Sequence, residues 1–312
     1  MIKQIGAVVL MSGLALSASA NEFFLDRGVD WAFNPDGDST TANIQELGYS
    51  GTLATSFYFG ALGPGTPVID TNFGMLGVIP NPAPLLYTTI GGPKVPLRGT
   101  PLFAQRNIDT INPLTPGVDD TEGYGGGSPF GFQFFYEYKL FGAIDPTATG
   151  VDFTSGFFNV FMVDNNALGA PLLGGARQVL KVNVTGSNIQ AANLDIFGEV
   201  DYSWCAPLCT TETKNLFNDV ATGDSFFDIW SKVPSPVISF ALDTNVNPPI
   251  PTANQLVFRP DCSSVSGAPG PCLVRQTTLD GSATFKVPEP GTLALVGLGV
   301  LGLGLRRSKK RV

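Results

Sequence analysis

The sequence predicts an all-β chain: an antiparallel β-sandwich of jelly-roll type with long Gly/Pro-rich loops, flanked by an N-terminal signal helix and a C-terminal transmembrane helix. Three observations carry the β reading. Phe132, Phe134, Tyr136, Tyr138 and Leu140 alternate with Gln133, Phe135, Glu137 and Lys139, the period of two of a half-buried strand. Further short β-type runs follow at 157–164, 178–186, 194–204, 225–230, 237–242, 255–259 and 282–287. The chain holds 37 Gly and 25 Pro beside 23 Phe, a composition of many strands joined by turns rather than of long helices. A sheet of this size must bury one face, and packing two such sheets together is the expected solution.

Bulk numbers bound the rest. Hydrophobic residues make up 43% and charged residues only 14%, too apolar for disorder and enough for a packed core. Net charge is −8, and the body is more acidic than that figure. Lys3, Arg306, Arg307, Lys309, Lys310 and Arg311 sit at the two ends, whereas every acidic residue lies between 21 and 290. Such a body repels phosphate backbones, which argues against nucleic acid as a partner. There is no His, which excludes His-ligated zinc, Ser-His-Asp and Cys-His catalysis and an imidazole acid or base. No cofactor, metal site or catalytic residue is assigned, and the chain is read as a non-enzyme.

The two ends set the organisation into residues 1–20, 21–286 and 287–312. The start carries Lys3, an apolar stretch from Ile5 to Leu16, and then Ala18-Ser19-Ala20. This is a secretory signal with an A-x-A site, cut by signal peptidase before Asn21. Export makes the four cysteines legible as disulfides. Pairing of near neighbours, Cys205 with Cys209 and Cys262 with Cys272, is the simplest of three connectivities. At the other end Leu293–Leu305 is uncharged over 13 residues and is followed by five basic residues. As a helix it covers only ~20 Å, a marginal span unless the preceding residues join it. The basic cluster holds its end on the cytoplasmic side.

Pro288-Glu289-Pro290, the apolar stretch and "RRSKKR" together resemble a PEP-CTERM protein-sorting signal. The resemblance implies that Pro288, Glu289 and Pro290 form the recognition motif for an exosortase, a membrane protease-transpeptidase that acts on the chain transiently. It implies an inner-membrane-anchored precursor that ends at the cell surface or outside, in company with exopolysaccharide and biofilm systems. A second likeness, to the THxN group of PEP-CTERM proteins, rests on Thr244-Asn245-Val246-Asn247, with Asn where the signature has His.

Other features have weaker chemical content. "NPDGDST" (34–40) and "DDTEG" (119–123) offer oxygen ligands of the kind Ca²⁺ takes, although Asp and Gly are also turn chemistry. Trp31, Trp204 and Trp230 are the aromatics suited to stacking on sugars in an alternative reading as a secreted carbohydrate-binding or carbohydrate-cleaving domain. Residues 60–129, rich in Pro and Gly yet apolar, read as packed loops at one end of the body.

Overall fold

The computed structural model describes residues 21–72, 87–88, 95–96, 110–113, 121–170, 172, 176–190, 193–205, 209–232, 236–245, 250–266 and 270–288. In chain order the elements are β1 (Phe23–Leu25), β2 (Ile44–Tyr58), β3 (Pro67–Thr71), β4 (Tyr87–Thr88), β5 (Val95–Pro96), β6 (Thr110–Pro113), β7 (Phe132–Ile144), β8 (Val151–Asp164), β9 (Arg177–Gln190) and β10 (Asn193–Val200). There follow α1 (Thr211–Asn215), β11 (Phe217–Asp219), α2 (Phe226–Ser231), β12 (Ser239–Asn245), β13 (Val257–Arg259), α3 (Ser263–Ser266) and β14 (Cys272–Lys286). The protein is thus mostly antiparallel β, as its alternation predicts. Twelve strands belong to one sheet, and β4 and β5 form a separate ribbon.

The sheet corrects the sandwich and jelly-roll expectation. Its strands β2, β3, β7, β8, β9, β10, β12 and β14 neighbour one another in sequence order, and β14 then pairs back onto β2. That last ladder runs from Leu273 opposite Tyr58 to Ala283 opposite Leu47. The result is one curled sheet closed on itself, not two sheets face to face. Period-two patterning cannot separate the two, because both bury alternate residues. Closure needs long, strongly coiled strands, and bulges supply the coil. Register shifts occur at Phe141/Gly142, Val160/Phe161, Phe197/Gly198 and Leu279/Gly281. At the last of these a side chain on Gly281 would collide with the Asp243 carbonyl oxygen of the neighbouring strand, so only glycine fits.

The alternation read in residues 132–140 survives in space. Phe132, Phe134, Tyr136, Tyr138 and Leu140 are all buried in the main core, inside the ring. Phe135 points the other way and packs with Val163. Outside the ring, Phe57, Ile69 and Val274 are covered by Val265 and the Cys262–Cys272 disulfide. Lys139 ties this cover down by donating to the Val265 carbonyl at 2.7 Å. The second disulfide is Cys205–Cys209, so both cysteine pairs close locally.

One expected strand is a helix. Ser225–Trp230 reads as β from its aromatics, yet α2 occupies Phe226–Ser231. Ser225 caps it, its hydroxyl accepting the Asp228 N–H at 3.0 Å, and Phe226 and Ile229 share the buried face at i, i+3 spacing. Aromatic content alone outweighed the cap in the sequence reading. Conversely, β2 is one of the longest strands yet carries little signal, because Gly48 and Gly51 interrupt its alternation. Of the Gly/Pro-rich residues 60–129, the described parts contribute β3, β4, β5 and β6, and most of the remainder lies outside the described residues.

The expected signal helix over 1–20 and the expected transmembrane helix beyond Pro288 also lie outside the described residues. Among the described residues no helix is long and apolar enough to cross a membrane.

Candidate functional site

Two ends of the ring differ, and each bears on function. At one end the chain enters and leaves. Asn21 donates its backbone N–H to the Phe285 carbonyl at 2.9 Å, and its side-chain amide to the Val287 carbonyl at 3.0 Å. Asn21 and the end of β14, where the matched motif begins, are therefore hydrogen-bonded neighbours. The end is closed by packed rings: Phe285 lies 5.4 Å from Phe23 and 5.5 Å from Phe226, and Phe217 lies 5.9 Å from Phe226. A closed ion network borders it, with Arg27 and Arg177 each meeting both Asp164 and Glu212 at 2.8–3.4 Å.

Of the sequence-assigned sorting and cleavage residues, Asn21 and Pro288 are described. Ala18, Ala20, Glu289 and Pro290 lie outside the described residues. β14 stops at Lys286, Val287 is buried, and Pro288 is half-buried. The Pro-Glu-Pro motif thus begins two residues after the end of β14.

Inside the ring, toward the other end, a cluster of polar side chains faces a cavity of about 50 Å³. Its basis is register. Ser56 on β2 stands directly opposite Asp70 on β3 and Arg275 on β14, so three strands bring one row of inward-facing polar residues together. Asp70 accepts hydrogen bonds from the Ser56 hydroxyl and, at 2.5 Å, from the Tyr138 hydroxyl. Burial pushes the Asp70 carboxyl above the usual carboxylate range, against the pull of those hydrogen bonds and of the Arg275 charge. Burial likewise raises Tyr58 and Tyr138. Apolar walls surround this row, among them Leu140, Phe153, Phe158 and Leu279. Sequence reasoning missed the cluster entirely. A lone Asp in β3 and a lone Arg in β14 carry no signal until the register pairs them.

The other candidates fall out as follows. The loops at 34–40 and 119–123 do meet: the carboxylates of Asp36, Glu122 and Asp30 lie within 4.8 Å of one another. Each already accepts a backbone N–H, Glu122 from Trp31, Asp30 from Gly37 and Asp36 from Asp38, all at 3.1 Å. Three carboxylates are fewer than the six to eight oxygens Ca²⁺ takes. Asp119 and Asp120 lie outside the described residues. Trp204 and Trp230 turn into the body and pack on Tyr202 at 6.3 and 6.2 Å. Trp31 sits over Gly123 and Gly126, with an edge contact at 5.7 Å to Phe33, which is 60% exposed. In the THxN-like stretch Thr244 points inward from the end of β12 and Asn245 is exposed. Val246 and Asn247 lie outside the described residues.

Comparison with protein families matches residues 286–309 to the PEP-CTERM protein-sorting motif. No curated protein and no solved structure matches the chain. The motif supports an exported protein that is targeted to an exosortase and sorted to the cell surface. Its matched span starts at Lys286, the last residue of β14, so this chain carries a PEP-CTERM protein-sorting motif directly after its last strand.

Proposed function

We propose that the chain is a non-catalytic component of the cell surface or extracellular matrix, working beside exopolysaccharide in a biofilm. In this reading signal peptidase cuts before Asn21. The helix at Leu293–Leu305 then holds the precursor in the inner membrane, and exosortase releases the body at Pro288–Pro290. The matched motif carries the reading. The hydrogen bonds between Asn21 and the end of β14 support it, because both targeting segments leave one end of the body and both cuts fall outside its hydrogen-bonded core. Mass spectrometry of the protein from its native host tests this. A chain running from Asn21 to a C-terminus within Val287–Pro290 is expected. A chain ending at Val312 overturns the release step and makes the tail a permanent anchor.

Carbohydrate binding is the second reading, favoured by the exposed Phe33 beside Trp31. Such a pair offers a face for a sugar ring. Polysaccharide pull-down that retains the native protein but not Trp31→Ala is the expected result, and equal failure of both removes it.

A further inference from the structure

An eight-stranded ring is at the size where the interior is either filled by side chains or holds one small molecule. Here it is not filled. Beside the 50 Å³ cavity lies a second of about 30 Å³, and Tyr49, Tyr136, Phe158 and Leu242 wall both. Two of these shared residues, Tyr49 and Tyr136, meet ring to ring at 5.4 Å. Protein interiors rarely leave voids larger than a water. At about 10–15 Å³ per water, the larger space suits about three to five non-hydrogen atoms and the two together about five to eight.

Its chemistry is selective. Most of the wall is aliphatic or aromatic. The Tyr49 hydroxyl is buried beside Thr244 and fills the space that a side chain on Gly281 would need, yet it completes no hydrogen bond of good geometry. A buried donor without an acceptor is costly, and an oxygen on a ligand would satisfy it. The charges present, Asp70 and Arg275, already face each other across Ser56, so an ionised ligand would enter unpaired.

Access is one-sided. Among the residues lining the larger cavity only Ile189, Asn193, Leu194 and Thr277 touch solvent appreciably. Three of these flank the β9–β10 turn. β10 runs from there to Glu199, which stands opposite Ser239, itself opposite Lys286 at the end where the termini lie. The mouth and the sorting motif are at opposite ends, and packed phenylalanines close the motif's end.

We infer that the interior of the ring is a binding site for a small, uncharged, mainly apolar molecule bearing one oxygen acceptor, entered at the β9–β10 end away from the sorting motif. The apolar body sits among Leu140, Phe153, Phe158 and Leu279, and the oxygen accepts from Tyr49. The site does not depend on how the tail is processed.

Ligand-detected NMR on the protein purified from its native host tests this, with 2-butanone, cyclopentane and butyrate as probes. Saturable binding of 2-butanone and cyclopentane, and none of butyrate, is expected. Tyr49→Phe weakens 2-butanone about five- to tenfold and leaves cyclopentane unchanged. Asn193→Trp, at an exposed turn position, blocks the mouth and abolishes binding of both, and Ile189→Trp repeats the test from the other side of the turn. Circular dichroism establishes that each variant is folded. Absence of saturable 2-butanone binding to the folded native protein overturns the site. Equal binding of butyrate, or an unchanged 2-butanone affinity in folded Tyr49→Phe, overturns the assigned ligand chemistry. Undiminished binding in folded Asn193→Trp and Ile189→Trp overturns the entrance.

Discussion

The two ends of the ring are built from the same alternation and come out opposite. The end holding the termini is stacked with Phe23, Phe217, Phe226 and Phe285, all within 1–2% of complete burial or better. The other end spends its inward positions on Ser56, Asp70 and Arg275 and keeps a void beside them. One end resists change through packing. The other keeps its shape through hydrogen bonds to a buried carboxyl under the influence of the Arg275 charge, which is a more brittle arrangement. The sorting motif begins at the packed end, and the space lies at the other.

Three experiments break or sharpen the contrast. Phe226→Ala should cost the most, about 4–5 kcal/mol by urea unfolding, because three rings lose their contact and cannot collapse into the gap. A loss near 1 kcal/mol would mean that this end is not the packed one. Arg275→Met should cost about 3–4 kcal/mol, since it strands a buried carboxylate, and the double variant Asp70→Leu/Arg275→Met should recover most of it. Additive losses would show that the two charges do not act as a pair.

The smallest effect is the response to pH, and its sign differs between the ends. Asp201, at the packed end, is pushed up by burial but held down at about 2 by hydrogen bonds from Lys181, Ser203 and Asn183. Its folded pKa is below the ordinary value of about 4, so its contribution is present above pH ~4 and fades as pH falls toward 2. Asp70 has a raised folded pKa. Its contribution is present below pH ~4 and fades as pH rises through that raised value. Carboxyl ¹³C titration should therefore find Asp201 below, and Asp70 above, the ordinary range. Stability of Asp201→Asn should lose the acid-side decline. A common midpoint for both carboxyls would erase the contrast.

Legibility in the sequence followed the range of the signal. The aromatic strand at 132–140 and the neighbouring cysteine pairs are local, and each is found where local reasoning places it. The sorting motif is contiguous and was equally plain. β2 was obscured by its glycines, and α2 by its aromatics. The row Arg275–Ser56–Asp70 had no local trace, because each residue alone is an ordinary polar position in a strand.

What the amino acids by themselves determined is which residues face inward, where strands turn, and where the chain carries its sorting address. These depend on neighbours a few residues away and on the fixed two-residue repeat of the strand. Tertiary structure alone decided that β14 returns to β2 and closes the sheet, that Asn21 meets Val287, and that Arg275 and Asp70 flank Ser56 across a cavity. A repeat of two specifies a face but no partner. The partner follows from closing the ring in one register, a choice made by bulges and by the summed packing of strands far apart in the chain.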